Sequence, residues 1–487
     1  MENNPIMRSA VNWLGYWANI GPDETALVIE GDGRFTFGQL AASVAAMARW
    51  LAEAGMQPGA LVGIESDDQH RHIVALLAAE ALGACTVSFS AGEVRSGDAV
   101  VGRCDWVLSE AAPAAGAGRG QWVRLDAAFA ATLAAMTVGP EDLARLSVAH
   151  DPHALCRLSR SSGTSGDRKI FGHSIAQLDS HCRCRERFYK TRSRSRAFIA
   201  LYRLPLSVVY MLLLESLYNG SALCMVTIGN FDRVVADLTE FHVSVVLAQL
   251  PLLIDKYQTG FEHAPVRWLN VIGGEVPAPL WAQLYPLRFG HAANAYTTSE
   301  MKALAFGTNG EAYTLADDAE ARIVDAEGQK VAEGQSGLIE MRSPRMPREY
   351  LWAPELTEKH FVDGWFRTFD VGQMPKPGQL VVGGRGDDLI NIGSIKIMPD
   401  LYEARLRAIP GVKEAVVIGI PDQNQMVQLH AVLEGEGLVL DAALSAAIRA
   451  AMAGTAVDCW THVVPALPRT ETGKVRRGEL RQVFATA

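Results

Sequence analysis

The feature that most limits the fold is an alternation of helix-length amphipathic segments with short apolar runs, first seen between residues 35 and 90. After Phe35-Thr36-Phe37-Gly38-Gln39, the residues Leu40, Val44, Met47 and Leu51 recur at the three-to-four spacing that lines one helix face. Gly55-Met56-Gln57-Pro58-Gly59 ends that pattern, and Leu61-Val62-Gly63-Ile64 follows as a run apolar enough for a buried strand. A second helical stretch, His72 to Leu82, leads through Gly83 into Cys85-Thr86-Val87. Alternation of this kind predicts an α/β fold with a mainly parallel sheet, because parallel neighbours need a crossover and a helix supplies it.

The alternation continues with strands expected at Ala222 to Val226, Val243 to Leu247 and Leu269 to Ile272. From about residue 319 short strands, Ala321 to Val324 and Leu338 to Met341, alternate with turns such as Asp325-Ala326-Glu327-Gly328, which predicts a β-rich subdomain. After Gly383-Gly384-Arg385-Gly386 a last unit begins, with helices near Asp400 to Ile409 and Leu440 to Met452 around a strand at Ala415 to Ile418. It is long enough to be a small domain of its own.

Size and composition narrow the function classes. A chain of 487 residues, 49% hydrophobic, has material for a large core and more than one domain. A net charge of -9 argues against a nucleic-acid partner, which calls for a basic surface. The seven cysteines are odd in number, and Cys182 and Cys184 have no second pair to complete a zinc site, so reduced thiols are expected. The first residues lack the basic start and apolar run of a signal peptide. The longest apolar stretch, Val208 to Leu217, is broken by Glu215 and too short for a membrane span. These features predict a cytoplasmic protein.

Five stretches carry chemistry. Ser161-Ser162-Gly163-Thr164-Ser165-Gly166-Asp167-Arg168-Lys169 offers hydroxyls, close backbone approach and a terminal cation, which phosphate oxygens require; a plain Ser/Gly loop is the alternative. The spacing of a P-loop is absent. Asn294-Ala295-Tyr296-Thr297-Thr298-Ser299-Glu300 pairs an aromatic face, suited to a purine, with a carboxylate suited to Mg²⁺. Asp363-Gly364-Trp365-Phe366-Arg367-Thr368-Phe369-Asp370 ends on an acid that suits ribose hydroxyls or a turn. Gly384-Arg385-Gly386-Asp387-Asp388 suits a hinge or a solvated interdomain turn. Leu467-Pro468-Arg469-Thr470-Glu471-Thr472-Gly473-Lys474 places a lysine on a glycine-punctuated loop.

Taken together, in this order and approximate spacing, the five stretches resemble those of the ANL superfamily of adenylate-forming enzymes, which includes acyl-CoA synthetases, peptide-synthetase adenylation domains and luciferases. The likeness runs from Phe35 to Arg481. It implies a large N-terminal domain, residues 1–384, with mainly parallel sheets and a β-rich subdomain. A small mobile α+β lid, residues 385–487, would follow. It implies ATP, Mg²⁺ and CoA, or a carrier-protein phosphopantetheine, as cofactors and co-substrates, and a small carboxylic acid as substrate.

The resemblance also distributes roles. Ser161, Ser162, Gly163, Thr164, Ser165, Gly166 and Lys169 would hold the ATP phosphates, and Ser299 would join the nucleotide site. Tyr296 would stack on adenine, Glu300 would bind Mg²⁺, and Asp370 with Arg385 would hold the ribose and a phosphate. Asp387 stands at the hinge position. Lys474 matches the lysine that bridges acid and α-phosphate, and with Glu300 and Thr164 it makes the catalytic set. Tyr202, Val208, Tyr210, Gly273, Gly274 and Thr297 would line a largely apolar acyl pocket, suited to an aryl or medium aliphatic acid.

The sequence departs from the pattern at Arg168, where a proline is usual, and at Thr297 and Phe369, where glycines are usual. The stretch Pro205-Leu206-Ser207-Val208 lacks the common pocket histidine, which puts its gating in question, and no acid in Tyr202 to Tyr210 stands ready for an α-amino group. The basic segment Arg183 to Arg196 suits either CoA phosphates or a solvated helix face. Three alternatives to an acid–CoA ligase stay open: transfer to a carrier protein, adenylation with another ending such as β-lactone formation or oxidation, and a non-catalytic nucleotide-binding relative.

Overall fold

The computed structural model describes residues 9–114, 120–160, 169–189, 196–227, 230, 240–246, 250–258, 266–272, 276, 278–284, 291–308, 312–325, 327–385, 390–392, 395–397, 399–421, 427–453, 459–470 and 473–485. Of the sequence expectations, Ser161 to Gly166, Gly273, Gly274 and Asp387 lie outside them.

The helices form where the periodicity places them. Phe37–Glu53 opens on a capping box, in which the Thr36 hydroxyl accepts from the Gln39 amide while the Gln39 side chain accepts from the Thr36 amide. Gln69–Ala81 is capped by Asp68. The strands Leu61–Glu65 and Cys85–Ser88 are parallel neighbours in a six-stranded sheet. The second sheet has fourteen strands among the described residues. Its central strands Arg196–Ala200, Glu240–Val246, Val266–Ile272 and His291–Thr298 pair in parallel. Helices Ala10–Ile20, Phe37–Glu53, Gln69–Ala81 and Ser207–Asn219 share one apolar core with strands of both sheets, including Leu27 and Leu223 of one and Val62 and Ile64 of the other.

The β-rich part is present and continuous with the large sheet. His291–Thr298 turns back antiparallel into Lys302–Gly307, and antiparallel pairing carries the sheet on through Gln379–Arg385, Trp365–Lys376 and Ser336–Arg342. Asp363 and Gly364, both in the left-handed region (φ 50° and 76°), make the tight turn that folds Phe361–Val362 onto Trp365. Glu340, fully buried, is paired with Arg322 of the neighbouring strand Glu320–Val324 at 2.6 Å and with Arg367 at 2.8 Å, which ties that strand to Ser336–Arg342 and Trp365–Lys376.

In the C-terminal part, Glu414–Pro421 pairs antiparallel with Val427–Glu434, which pairs in parallel with Cys459–Val464. Side chains alternate between the two faces, and both faces are covered. Ala415 and Val417 pack with Leu406 and Ile448, while Val416 and Ile418 pack with Leu467 and Leu480. Helices Pro399–Arg407 and Arg477–Ala485 are joined by Arg477 to Glu403, with Nη2 to Oε2 at 2.9 Å.

All seven cysteines are free, and six are buried. No helix among the described residues is long and apolar enough to cross a membrane.

Candidate active site

Tyr296 lies at the end of its strand, 9% exposed, and its hydroxyl donates to Oδ2 of Asp370. The sheet register sets Asp370 directly across from Arg385. The Asp370 amide donates to the Thr368 hydroxyl at 3.0 Å, and that hydroxyl donates to the Ile339 carbonyl at 2.9 Å. Between Thr368 and Asp370, Phe369 has φ 63°, a conformation that suits glycine. The structure therefore explains why a glycine is usual here, and shows that this chain accepts the strain of a phenylalanine.

Glu300 follows in the turn between Thr298 and Lys302. Tyr350 donates to its Oε1 at 2.6 Å, and both residues are buried. The turn is held from below by Arg345, 2% exposed, which donates to the carbonyls of Met301 and Ala303 and pairs with Asp318 at 2.6 Å. Lys302, at φ 64°, donates from Nζ to the Ser299 carbonyl at 2.9 Å. Burial pushes its ammonium down to about 8; Glu300 opposes that shift and Arg157 adds to it. Ser299 is exposed and Thr297 half-buried.

Lys169 ends the Ser/Gly-rich stretch and leads into the strand Ile170–Ser174. That strand is bridged to the Tyr350 segment, Phe171 facing Tyr350 and the Leu351 amide donating to the Ile170 carbonyl at 2.7 Å. The bridge brings the Lys169 ammonium to 5.3 Å from the centre of the Tyr350 ring and to 2.9 Å from Nε2 of His360. His360 closes the helix Pro354–His360, and its ring centre lies 4.6 Å from that of Phe369 in an edge-to-face arrangement. Lys169 and Glu300, drawn from distant stretches, thus meet at Tyr350, and His360 ties Lys169 to the strand that carries Asp370. Neither Tyr350 nor His360 stands in a motif, so the sequence reading missed both.

Lys474 is exposed on a tight turn. The Thr470 amide donates to the Lys474 carbonyl at 2.8 Å, the Lys474 amide to the Thr470 hydroxyl at 3.2 Å, and Gly473 takes φ 79°. Arg469 anchors the turn's base to buried Glu434 at 3.0 Å. Burial raises the Glu434 pKa, and hydrogen bonds from Leu467, Lys413 and Arg469 outweigh it, leaving the carboxyl below its usual range.

Two expectations need correction. Tyr210, 1% exposed, donates to Glu80 Oε1 at 3.0 Å and lies beneath the Arg157 guanidinium at 4.5 Å. It faces a small cavity of about 20 Å³ with Trp13, Cys156 and Leu214, room for about one water, so it belongs to the interhelical core. Tyr202 and Val208 are half-buried at the edge of that core. The basic segment is also less solvated than its charge suggests: Arg185, 7% exposed, pairs with buried Glu215 at 3.1 Å, and Arg183 pairs with Asp179 at 2.8 Å.

Residues 15–351 match the model of the family described as "AMP-binding enzyme", and residues 402–474 match "AMP-binding enzyme C-terminal domain". The chain belongs to this family, within the ANL superfamily of adenylate-forming enzymes. With relatives named as CoA synthases and ligases aligned along it, the chain is an AMP-forming ligase of the acid–thiol class. Among its relatives, a feruloyl-CoA synthase from an Amycolatopsis species is 27% identical over 97% of this chain and 99% of that protein. A salicylyl-CoA synthase / salicylate adenylyltransferase from a Streptomyces species is 28% identical over 97% and 93%. The fold matches ATP-bound MatB from Rhodopseudomonas palustris with a TM-score of 0.85 and 19% identity, covering 98% of this chain and 99% of that one.

Proposed function

We propose that this AMP-binding enzyme activates an aryl or medium aliphatic carboxylic acid, an aryl acid being favoured, as its acyl-adenylate with release of pyrophosphate, and then transfers the acyl group to CoA. The observation that carries the reading is that Lys169 and Glu300 meet at Tyr350, that Tyr296 bonds Asp370, and that His360 ties Lys169 to the strand of Asp370. Lys169, Glu300, Tyr296 and Asp370 each belong to a different part of ATP: phosphates, their metal, adenine and ribose. The aromatic preference is supported by the apolar character of the candidate acyl pocket near Tyr202 and Val208, and by relatives named for feruloyl and salicylyl acids.

The chemistry follows from the charges. The acid is ionised at neutral pH, so it needs no general base to attack the α-phosphorus. What the site supplies is position and compensation for negative charge gathering on phosphate oxygens. Tyr296 and Asp370 hold the nucleoside end. Lys169 places a cation at the phosphates, and Lys474, delivered on its turn, places another between acid and α-phosphate. Glu300 is a hard oxygen donor of the kind Mg²⁺ prefers. Among the described residues no cluster of three ligating side chains surrounds it, which suits an ion that keeps waters and phosphates as its other ligands. Such an ion would neutralise phosphate charge. Residues 1–384 would carry the nucleotide and acid, and 385–487 would form the lid that turns at Asp387 to admit the thiol.

The test is steady-state pyrophosphate release with ATP and Mg²⁺ over aryl, aliphatic and amino acids, with CoA, with a phosphopantetheinylated carrier protein, and with neither. Multiple turnover only with CoA is expected. Turnover only with the carrier protein would move the acceptor, and acid-independent release would sink the reading.

A further inference from the structure

The site contains one polar group that the adenylation reading leaves without a task, the buried ring of His360. Its Nδ1 stands 3.0 Å from the Arg367 carbonyl and its Nε2 2.9 Å from the Lys169 ammonium. A carbonyl only accepts and an ammonium only donates, so Nδ1 carries the proton and Nε2 is the acceptor. The tautomer is fixed by its neighbours. The ring's orientation is fixed as well: it stacks on Phe366 (5.7 Å, 20°) and meets the edges of Tyr350 (5.2 Å, 88°) and Phe369 (4.6 Å, 62°).

We propose that His360 is the positioning residue for the phosphate-loop lysine, accepting a hydrogen bond from Lys169 and so fixing where that charge stands for the ATP phosphates. The proposal rests on the adenylation reading above. A lysine has four rotatable bonds and no planar head to define its direction, so a point charge needs an external partner to be placed. His360 supplies one from a helix end whose other ring nitrogen is tied to the strand that carries Asp370. The phosphate cation and the ribose carboxylate are thereby set by one strand, three residues apart. Phe369, its backbone in the left-handed region, sets its ring edge-on to the imidazole next to Asp370 in sequence. Tyr350 completes the device, since one ring steers Lys169 on its face and Glu300 through its hydroxyl.

The experiment is titration calorimetry of the full chain with Mg²⁺-ATP and with AMP, for the wild type, His360→Leu, His360→Gln, Lys169→Met and the double variant His360→Leu/Lys169→Met. AMP lacks the phosphates that Lys169 would meet. Loss of one charge-assisted hydrogen bond predicts that His360→Leu weakens ATP about tenfold and AMP less than about twofold. His360→Gln, whose amide oxygen still accepts, keeps most of the ATP affinity. The double variant binds ATP no more weakly than Lys169→Met. Unchanged ATP binding in His360→Leu, equal loss of ATP and AMP, no rescue by glutamine, or additive losses in the double variant would each overturn the proposal. A wild type that binds neither nucleotide would sink the adenylation reading itself, and the positioning role with it.

Discussion

Glu300 and Lys474 bring opposite charges to the same proposed reaction and are held in opposite ways. Glu300 is 7% exposed, takes a hydrogen bond from Tyr350, and sits on a turn braced by the buried Arg345. Lys474 is exposed, and its turn is defined by bonds from its backbone to the Thr470 amide and hydroxyl and by an anchor, Arg469 to Glu434, five residues away. The contrast teaches that the carboxylate proposed for the nucleotide side is fixed by buried partners, whereas the cation proposed for the transition state is presented on a small, separately cored unit.

The largest expected effect breaks the comparison at the exposed end. Lys474→Ala should lower the rate of acyl-adenylate formation by about a thousandfold, the scale of a lost transition-state cation, while ATP affinity stays within about threefold. Single-turnover adenylation beside calorimetry measures both. A comparable loss of ATP binding would show that Lys474 belongs with the preformed side.

The next effect lies at the buried end and concerns stability. Lys302 is depressed to about 8 in the folded chain against about 10.4 unfolded. The folded state therefore binds fewer protons between these values, so this group costs stability below pH 8, and the cost fades as pH rises through 8 to about 10.4. Lys302→Met should raise stability at pH 7 by about 1–3 kcal/mol, and the gain should shrink by pH 10 in denaturant melts at the two pH values. A pH-independent difference would contradict the assignment.

Smaller still is Tyr350→Phe, which leaves the ring against Lys169 and removes the hydroxyl from Glu300. Partners of metal-binding carboxylates change metal affinity by about tenfold or more, so half-maximal activity should need about tenfold more Mg²⁺. An unchanged Mg²⁺ requirement would separate Tyr350 from the function of Glu300. The smallest effect sharpens the cost of building the site. Phe369→Ala loses the ring and keeps the left-handed strain, whereas Phe369→Gly loses both. Glycine should be more stable than alanine by about 1 kcal/mol in thermal melts, and the reverse order would mean that the backbone relaxes.

What could be read in advance follows physical range. Helices Phe37–Glu53 and Gln69–Ala81 and strands Leu61–Glu65 and Cys85–Ser88 depend on local period and stop signals, and they stand where those signals put them. The fusion of the β-rich part with the parallel strands through His291–Thr298 is a long-range pairing with no local mark. Tyr296 and Asp370 were each legible in a motif, and their contact across 74 residues was not. His360 and Tyr350 were illegible because a single histidine or tyrosine carries no spacing. Tyr210 was misplaced because Ser207–Asn219 is apolar around most of its circumference, so its sequence does not tell pocket side from core side. The pairing of Arg185 was not legible, and its basic segment suited CoA phosphates or solvent equally, because its acid, Glu215, lies on another helix.

The most direct test of the central claim is acid-dependent exchange of labelled pyrophosphate into ATP, measured without CoA. The account predicts exchange with at least one aryl acid, its loss in Lys474→Ala, and acyl-AMP as the species detected by mass. Formation of ADP, or the absence of exchange with every acid while ATP still binds, would contradict it.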